Sequence, residues 1–177
     1  MIGVLVSGEG TNLQALVDEG LPVVAVASNK AGVRALERAE RAGIPTEVFA
    51  LDDYDHRSAR DRAMADWLSD SGARLVVCAG YMHLLTDVFL ERFPGRVVNV
   101  HPSLLPRFPG TRAIEEALEH DVPETGVTVH LVDEGVDSGP ILRQEPVRLE
   151  PRETLVDRIH AVEHRLLPEV VRQLCAR

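Results

Sequence analysis

The segment at residues 97–106, VVNVHPSLLP, constrains this chain more than any other stretch. Its β-branched residues predict a buried strand, and the prolines at 102 and 106 end that strand because proline cannot donate to a sheet ladder. Asn99 and His101 therefore stand near the carboxyl end of the strand, two residues apart and on the same face. Open α/β sheets bind ligands at the carboxyl ends of their strands, so the segment predicts both a fold and a site.

Apolar runs of strand length alternate with helix-period segments over the first hundred residues. Gly43 and Gly72 are predicted helix stops, and Thr11 and Thr86 are candidate amino-terminal caps. The alternation predicts the α/β class with a doubly wound, mostly parallel, Rossmann-like sheet. Predicted strands cover residues 2–6, 23–27, 47–49, 75–78 and 97–100, and predicted helices cover 12–19, 33–42, 58–71 and 86–92.

The second part of the chain follows a different pattern. After a predicted helix at 113–119, two strands at 125–132 and 141–147 are joined by the loop DEGVDSGP, and we expect them to be antiparallel additions at the sheet edge. A long helix is predicted from 153 to 174, interrupted or kinked near Pro168.

Composition and charge exclude several classes of partner. The 177 residues carry a net charge of −9, and Lys30 is the only lysine. Scattered arginines do not form the basic patch that duplex nucleic acid requires, so no nucleic-acid partner is expected. No apolar run approaches the roughly 18 residues of a membrane span, and neither Cys78 nor Cys175 belongs to a CxxC pair. We expect a cytoplasmic protein without a membrane partner, either a monomer or a homodimer.

The first turn, SGEGTN at residues 7–12, follows a predicted strand and opens a predicted helix. Its glycines let a ligand approach the backbone, and the amides of a helix amino terminus attract an anion. A dinucleotide site is disfavoured, because Leu13 stands at the third glycine position of GxGxxG. A tight turn that needs glycine only for its conformation is one alternative. The other is the monophosphate site that we predict, with donors Gly10, Thr11 and Asn12.

Three polar side chains predict oxyanion stabilisation and proton transfer. Asn99 offers an amide that can hold a developing oxyanion, and His101 offers an imidazole that moves a proton. Asp137 lies between two glycines in the loop expected to reach the same sheet edge, and its carboxylate favours the protonated imidazolium. A turn role for Asp137 and a structural role for His101 are the alternatives. His130, on the preceding strand, is predicted to pack behind the site.

The last predicted helix contains HAVEH at residues 160–164, which matches the HxxEH signature of one group of zinc peptidases. His160 and His164 are one helical turn apart, an arrangement that suits zinc with Glu163 as general base. A five-residue match is weak without a further ligand in its context, so we expect no metal.

Four motifs occur in one order along the chain: SGEGTN, CAGYMHLL, NVHPSLLPRFPG and DEGVDSGP. In that combination the sequence resembles the phosphoribosylglycinamide formyltransferases, folate-dependent enzymes of purine biosynthesis. The resemblance implies transfer of a formyl group from 10-formyltetrahydrofolate, the co-substrate, to the amine of glycinamide ribonucleotide, without metal. Methionyl-tRNA formyltransferase and formyltetrahydrofolate deformylase share parts of the pattern and fit it less well.

The resemblance also implies roles for single residues. Asn99, His101 and Asp137 match the family's catalytic trio, and Glu163 matches a carboxylate that contacts the glycinamide substrate. The phosphate of the ribonucleotide is implied to bind at Gly10, Thr11 and Asn12. Glu9 departs from the asparagine often found in the family, and its carboxylate repels a phosphate unless it turns outward.

The implied folate site consists of Arg57, Met82, His83, Leu84, Leu85 and Asn99, with His83 where an arginine is common. Arg57, Arg60 and Arg62 lie on or near one predicted helix, and we expect such arginines to be mostly solvated. The implied organisation is a single formyltransferase domain over 1–177. Residues 1–100 form a phosphoribosyl-binding sheet, and residues 101–177 carry catalytic and folate-binding elements.

Overall fold

The computed structural model describes residues 1–176 and contains a seven-stranded sheet with the strand order β3-β2-β1-β4-β5-β6-β7. The predicted α/β class with a mostly parallel sheet is confirmed. The strands are β1 (Ile2–Val6), β2 (Val23–Ser28), β3 (Thr46–Val48), β4 (Leu75–Cys78), β5 (Val97–His101), β6 (Glu124–Leu131) and β7 (Ile141–Arg148). The helices are α1 (Thr11–Asp18), α2 (Arg34–Arg41), α3 (Arg57–Asp70), α4 (Asp87–Arg92), α5 (Ala113–Glu119) and α6 (Leu155–Cys175).

The first of two compact units covers Met1–Val98. In it β1 pairs in parallel with both β2 and β4, and β2 pairs in parallel with β3. Every residue of β1 is buried, as expected for a central parallel strand that is covered on both faces. Because β1 and β4 are parallel neighbours, the SGEGTN turn after β1 and the segment after β4 start from the same edge of the sheet.

The second unit begins at Asn99. Its strands β6 and β7 are antiparallel, as predicted. The predicted interruption at Pro168 is wrong: α6 continues through this residue to Cys175. The helix buries apolar side chains on both sides of Pro168, so breaking it there would expose more apolar surface than the lost hydrogen bond justifies. The prediction of a single formyltransferase domain stays a prediction.

Of the two expected helix caps, Thr11 needs correction and Thr86 is confirmed in position. Thr11 is the first residue of α1, and the cap position is taken by Gly10, which has φ of 73°. Thr86 does stand at the cap of α4, but its hydroxyl makes no cap hydrogen bond and donates to Asp61 instead. Within residues 1–176, no helix is both long enough and apolar enough to cross a membrane.

Candidate active site

The predicted catalytic trio comes together in the second unit. Asn99 and His101 lie on β5, and Asp137 lies in the loop between β6 and β7. His101 Nδ1 is 3.3 Å from Asp137 Oδ2, and Asn99 Nδ2 donates to Asp137 Oδ1 at 3.3 Å. The side chain of His101 is 5% exposed and that of Asp137 is 13% exposed. One carboxylate therefore joins the amide and the imidazole in a shielded position.

The His101 ring has an acceptor at each nitrogen. Its Nε2 lies 2.7 Å from the carbonyl oxygen of Phe108, and its Nδ1 faces Asp137. A neutral imidazole donates from only one nitrogen, so the imidazolium is the form that satisfies both contacts. Phe108 and Asp137 both take left-handed backbone conformations, with φ of 51° and 50°. Two of the three non-glycine residues with positive φ among residues 1–176 are therefore the two that contact the histidine.

Asp137 is held in its ionised form. Burial raises the pKa of this carboxyl, but the hydrogen bond with His130, the backbone N–H of Gly110 and the charge of His101 outweigh burial. The pKa of Asp137 is therefore lower than the ordinary value. Gly110 N–H donates to Asp137 Oδ2 at 2.8 Å. A carboxylate that stays charged near neutral pH orients the imidazole and supports its protonated form.

His130 lies behind the trio, as predicted, and contacts two of its members. Its Nε2 lies 3.2 Å from Asn99 Nδ2 and 3.5 Å from Asp137 Oδ1, while its Nδ1 donates to the Leu131 carbonyl at 2.8 Å. The residue is buried, with 2% of its surface exposed. A buried histidine needs hydrogen-bond partners, and its position between Val129 and Leu131 gave that signal in the sequence.

The SGEGTN turn is fixed by α2. Gly10 has a positive φ, and a Cβ on it would lie 2.6 Å from Ala35. Ala35 N–H donates to Gly8 O at 3.0 Å, and Arg38 Nε donates to Glu9 O at 2.8 Å. Glycine at position 10 is therefore required for both the turn conformation and the close approach of α2. Both hypotheses for this turn, the tight turn that needs glycine and the predicted phosphate site, depend on Gly10.

The amino-terminal end of α1 suits an anion. Thr11 and Asn12 form the first turn of the helix, where the partial positive charge of the helix lies. The Glu9 carboxylate is turned outward: Arg34 Nη1 is 3.4 Å from Glu9 Oε2, and 72% of the Glu9 side chain is exposed. This orientation removes the expected conflict between Glu9 and a phosphate.

Five of the six predicted folate residues lie in two places of the first unit, and the sixth, Asn99, lies on β5 in the second unit. Met82 and Leu84 are 53% and 49% exposed, whereas Leu85 is buried. Arg57 is exposed at the start of α3. His83 lies 3.1 Å from Arg60 Nη1 through its Nδ1. Two exposed apolar side chains flank a polar contact in this segment, as a flat heteroaromatic ring with polar edges requires.

Arg60 is the residue that the sequence analysis missed, and the expectation of a solvated side chain is wrong for it. Arg60 and Asp61 are both fully buried and form an ion pair, with 2.6 Å between Nε and Oδ1. The helical spacing gave a signal, because both residues share the buried face of α3 with Met64, Ala65 and Leu68.

Glu163, on α6, is buried. The rings of His160 and His164 stack with their centroids 6.0 Å apart. Over residues 1–176 the structure brings no three His, Cys, Asp or Glu side chains into an arrangement that could hold a metal ion. HAVEH therefore forms just over one turn of α6, in which Glu163 is the buried member.

Comparison with known proteins decides the family. The model of the Formyl transferase family matches residues 1–171. The chain belongs to the formyl transferase family. The resemblance inferred from the four motifs is thereby confirmed, and the family accounts for nearly the whole chain.

Comparison with named relatives shows which members of the family this chain is similar to. The chain is 37% identical over 180 residues to the phosphoribosylglycinamide formyltransferase of Bacillus subtilis (strain 168), with 97% of this chain and 92% of that protein covered. It is also similar to a crystal structure of glycinamide ribonucleotide transformylase 1 from Symbiobacterium toebii. That comparison gives a TM-score of 0.93 at 47% identity and covers 97% of this chain and 85% of the other.

One longer relative matches this chain over a small part of its own length. The chain is 42% identical over 186 residues to the trifunctional purine biosynthetic protein adenosine-3 of Drosophila pseudoobscura pseudoobscura. The match covers 99% of this chain but only 14% of that protein.

Proposed function

We propose that this formyl transferase transfers a formyl group from 10-formyltetrahydrofolate to the amine of glycinamide ribonucleotide. The products are formylglycinamide ribonucleotide and tetrahydrofolate, in purine biosynthesis. The observation that carries the proposal is the cluster of Asn99, His101 and Asp137, with distances of 3.3 Å from the carboxylate to each partner. The names of the relatives support the choice of substrate.

The cluster has the groups that direct formyl transfer needs. The substrate amine attacks the formyl carbon, a tetrahedral oxyanion forms, and the C–N bond to the folate nitrogen breaks as that nitrogen gains a proton. Asn99 donates its amide to the oxyanion, and the His101 imidazolium supports the oxyanion and relays protons. Asp137 orients His101 and helps to take up the proton that the amine loses. The 3.3 Å contacts of Asp137 are long, and such contacts rearrange when substrate binds.

The remaining predicted residues bind substrates. The ribonucleotide phosphate binds at Gly10, Thr11 and Asn12, and Glu163 contacts the glycinamide. The formyl donor binds along residues 82–85, with Arg57 at its anionic end. No step requires a metal, a nucleic acid or a membrane. We expect the reaction to take place in the cytoplasm and leave monomer and homodimer as alternatives.

The test is a spectrophotometric assay with 10-formyltetrahydrofolate as donor and glycinamide ribonucleotide as acceptor. We expect turnover by the wild type that does not respond to a chelator. His101→Ala should fold normally and lose about 10²- to 10³-fold in kcat, the usual effect of losing a group that stabilises an oxyanion. Turnover near that of the wild type in this variant, at saturating substrates, would contradict the assignment. A zinc hydrolase would instead be inactivated by the chelator and restored by zinc. A protein that only binds nucleotides would show no turnover.

A further inference from the structure

The segment at residues 82–85 has no regular secondary structure, and side chains of the first unit hold both of its ends. At one end Met82 N–H donates to Ser7 Oγ at 3.0 Å. At the other end the N–H and hydroxyl of Thr86 donate to Asp61 Oδ2 at 2.8 and 2.9 Å. Its conformation therefore depends on where these two acceptors lie.

The two acceptors are joined to each other through one chain of side chains, which we call the clamp: Ser7, Asn29, His83, Arg60 and Asp61. The Ser7 hydroxyl is 2.6 Å from Asn29 Oδ1, and Asn29 Nδ2 is 3.2 Å from His83 Nε2. On the other side of the ring, His83 Nδ1 is 3.1 Å from Arg60 Nη1, and Arg60 Nε donates to Asp61 Oδ1 at 2.6 Å. The clamp thus holds the segment at its two ends and at His83 in the middle.

The hydrogens in the clamp can be assigned by starting from Arg60. A guanidinium only donates, so His83 Nδ1 must accept and the ring carries its hydrogen on Nε2. Burial and the charges of Arg60 and Arg57 lower the pKa of His83, which keeps the ring neutral. The Nε2 hydrogen then needs an acceptor, and a half-turn of the Asn29 amide places Oδ1 there. Ser7 Oγ accepts from both Asn29 and Met82 in this arrangement.

The ion pair of Arg60 and Asp61 is a poor device for stability alone. Both side chains are fully buried, and among the described residues no acceptor reaches Arg60 Nη2. Burying two charges costs much of what their attraction provides, and an unsatisfied donor adds to that cost. An apolar side chain in this position of α3 would pack at lower cost. The consequence of Arg60 is therefore geometric: it sets the tautomer and the orientation of His83.

We propose that Arg60 is a positioning residue for the formyl donor, because through His83, Asn29 and Ser7 it fixes the backbone of residues 82–85. The inference rests on the proposed function, which places the donor on this segment. Arg60 is buried and does not touch the donor. It acts by keeping Met82 and Leu84, the exposed side chains of the segment, in the orientation that receives a flat ring.

The kinetic test compares Arg60→Met with the wild type in the formyl transfer assay. Methionine keeps the apolar stem and removes the donors, so we expect KM for 10-formyltetrahydrofolate to rise about tenfold or more, the effect of losing one charge-assisted contact. KM for glycinamide ribonucleotide and kcat should stay within about twofold. Arg60→Lys keeps a charged donor and should recover part of the loss. Arg74→Met, an exposed arginine of the same unit, is the control and should match the wild type.

Two outcomes would overturn the proposal. One is an unchanged KM for the donor in Arg60→Met, and the other is an equal rise in both KM values, which indicates a general structural role. A KM for the donor that is as high in Arg60→Lys as in Arg60→Met would also count against it, since the donated hydrogen bond would then not matter.

A second measurement needs neither a folded variant at position 60 nor turnover. In wild-type protein labelled with ¹⁵N-histidine, two-bond ¹H–¹⁵N spectra report which ring nitrogen of His83 is protonated, and His83→Gln assigns the signal. We expect a neutral ring protonated at Nε2. Protonation at Nδ1 would overturn the clamp, whatever the activity. If the wild type transfers no formyl group, the proposed function fails while this spectrum still tests the clamp.

Discussion

The proposed catalytic cluster of the second unit and the clamp of the first contain the same three residue types, but groups of opposite charge lie next to their histidines. In the catalytic cluster His101 faces a carboxylate and a carbonyl oxygen, and both favour an imidazolium. In the clamp His83 faces a guanidinium, which favours a neutral ring. The comparison teaches that an asparagine, a histidine and an aspartate acquire their chemistry from what lies next to the ring.

The two aspartates differ in the same way. Asp61 is fully buried, and its two oxygens accept hydrogen bonds from Arg60 and Thr86, so each oxygen has a partner. Asp137 remains 13% exposed, and apart from the 2.8 Å bond from Gly110 N–H its contacts with side chains are longer, at 3.3 to 3.5 Å. A buried carboxylate with a hydrogen-bond partner on each oxygen fixes structure. A carboxylate with long contacts and access to solvent can exchange partners during a reaction.

The largest effect should separate the two asparagines. Asn99→Ala removes the amide that the proposed mechanism places at the reacting oxygen, and we expect kcat to fall about 10²- to 10³-fold. Asn29→Ala is the matched variant in the clamp, and it should act mainly on KM for the formyl donor. Steady-state kinetics with both substrates varied measures the two. An equal loss of kcat in both variants would break the comparison between the clusters.

The next effect tests how the first unit holds the SGEGTN turn. Gly10→Ala forces an alanine into φ of 73° and brings its Cβ within 2.6 Å of Ala35. We expect the free energy of unfolding to fall by about 3 kcal/mol, combining left-handed strain with overpacking. Gly20→Ala has φ of 67° and open space around its Cβ, so it should lose only about 1 kcal/mol. Urea unfolding of both variants checks this. Equal losses would mean that the packing against α2 contributes nothing.

A smaller effect reports the charge of the catalytic cluster. The pKa of Asp137 is lowered in the folded protein, so its ionisation stabilises the fold above the ordinary carboxyl pKa of 3.8. This contribution is lost as pH falls through the lower, folded pKa. The difference in unfolding free energy between the wild type and Asp137→Asn should therefore shrink in acid. Urea titrations from about pH 6 to about pH 2.5 measure it. A difference that does not change with pH would show that the charge of Asp137 is not what stabilises the cluster.

The smallest effect concerns an exposed pair outside both clusters. Glu9 and Arg34 are 72% and 63% exposed, so Arg34→Gln should change the free energy of unfolding by less than about 0.5 kcal/mol. Glu9→Gln should lower KM for glycinamide ribonucleotide by no more than about threefold, because the carboxylate points away from the turn and is screened by solvent. A large drop in KM would mean that Glu9 turns toward the phosphate when substrate binds.

Much of the site was predictable because it lies where local patterns end. Asn99 and His101 follow a run of β-branched residues, and Gly10 lies between a strand and a helix, so strand and helix periodicity was enough to single them out. The burial of Arg60 and the hydrogen-bond partners of His130 were not predicted, for a common reason. Each is a polar residue inside an element, and its role depends on partners that are distant in sequence, 31 residues away for His130 with Asn99 and 23 for Arg60 with His83.

The sequence by itself determined the α/β class, the strand ends that carry polar residues, and the family through its four motifs, because these depend on local spacing and on short contiguous segments. Only the tertiary structure decided which charged groups lie next to each histidine. Protonation depends on which charge lies within about 4 Å of the ring, and that neighbour comes from another element in both clusters. The continuity of α6 through Pro168 likewise follows from burial on both sides of the proline. Local helix propensity does not take such burial into account.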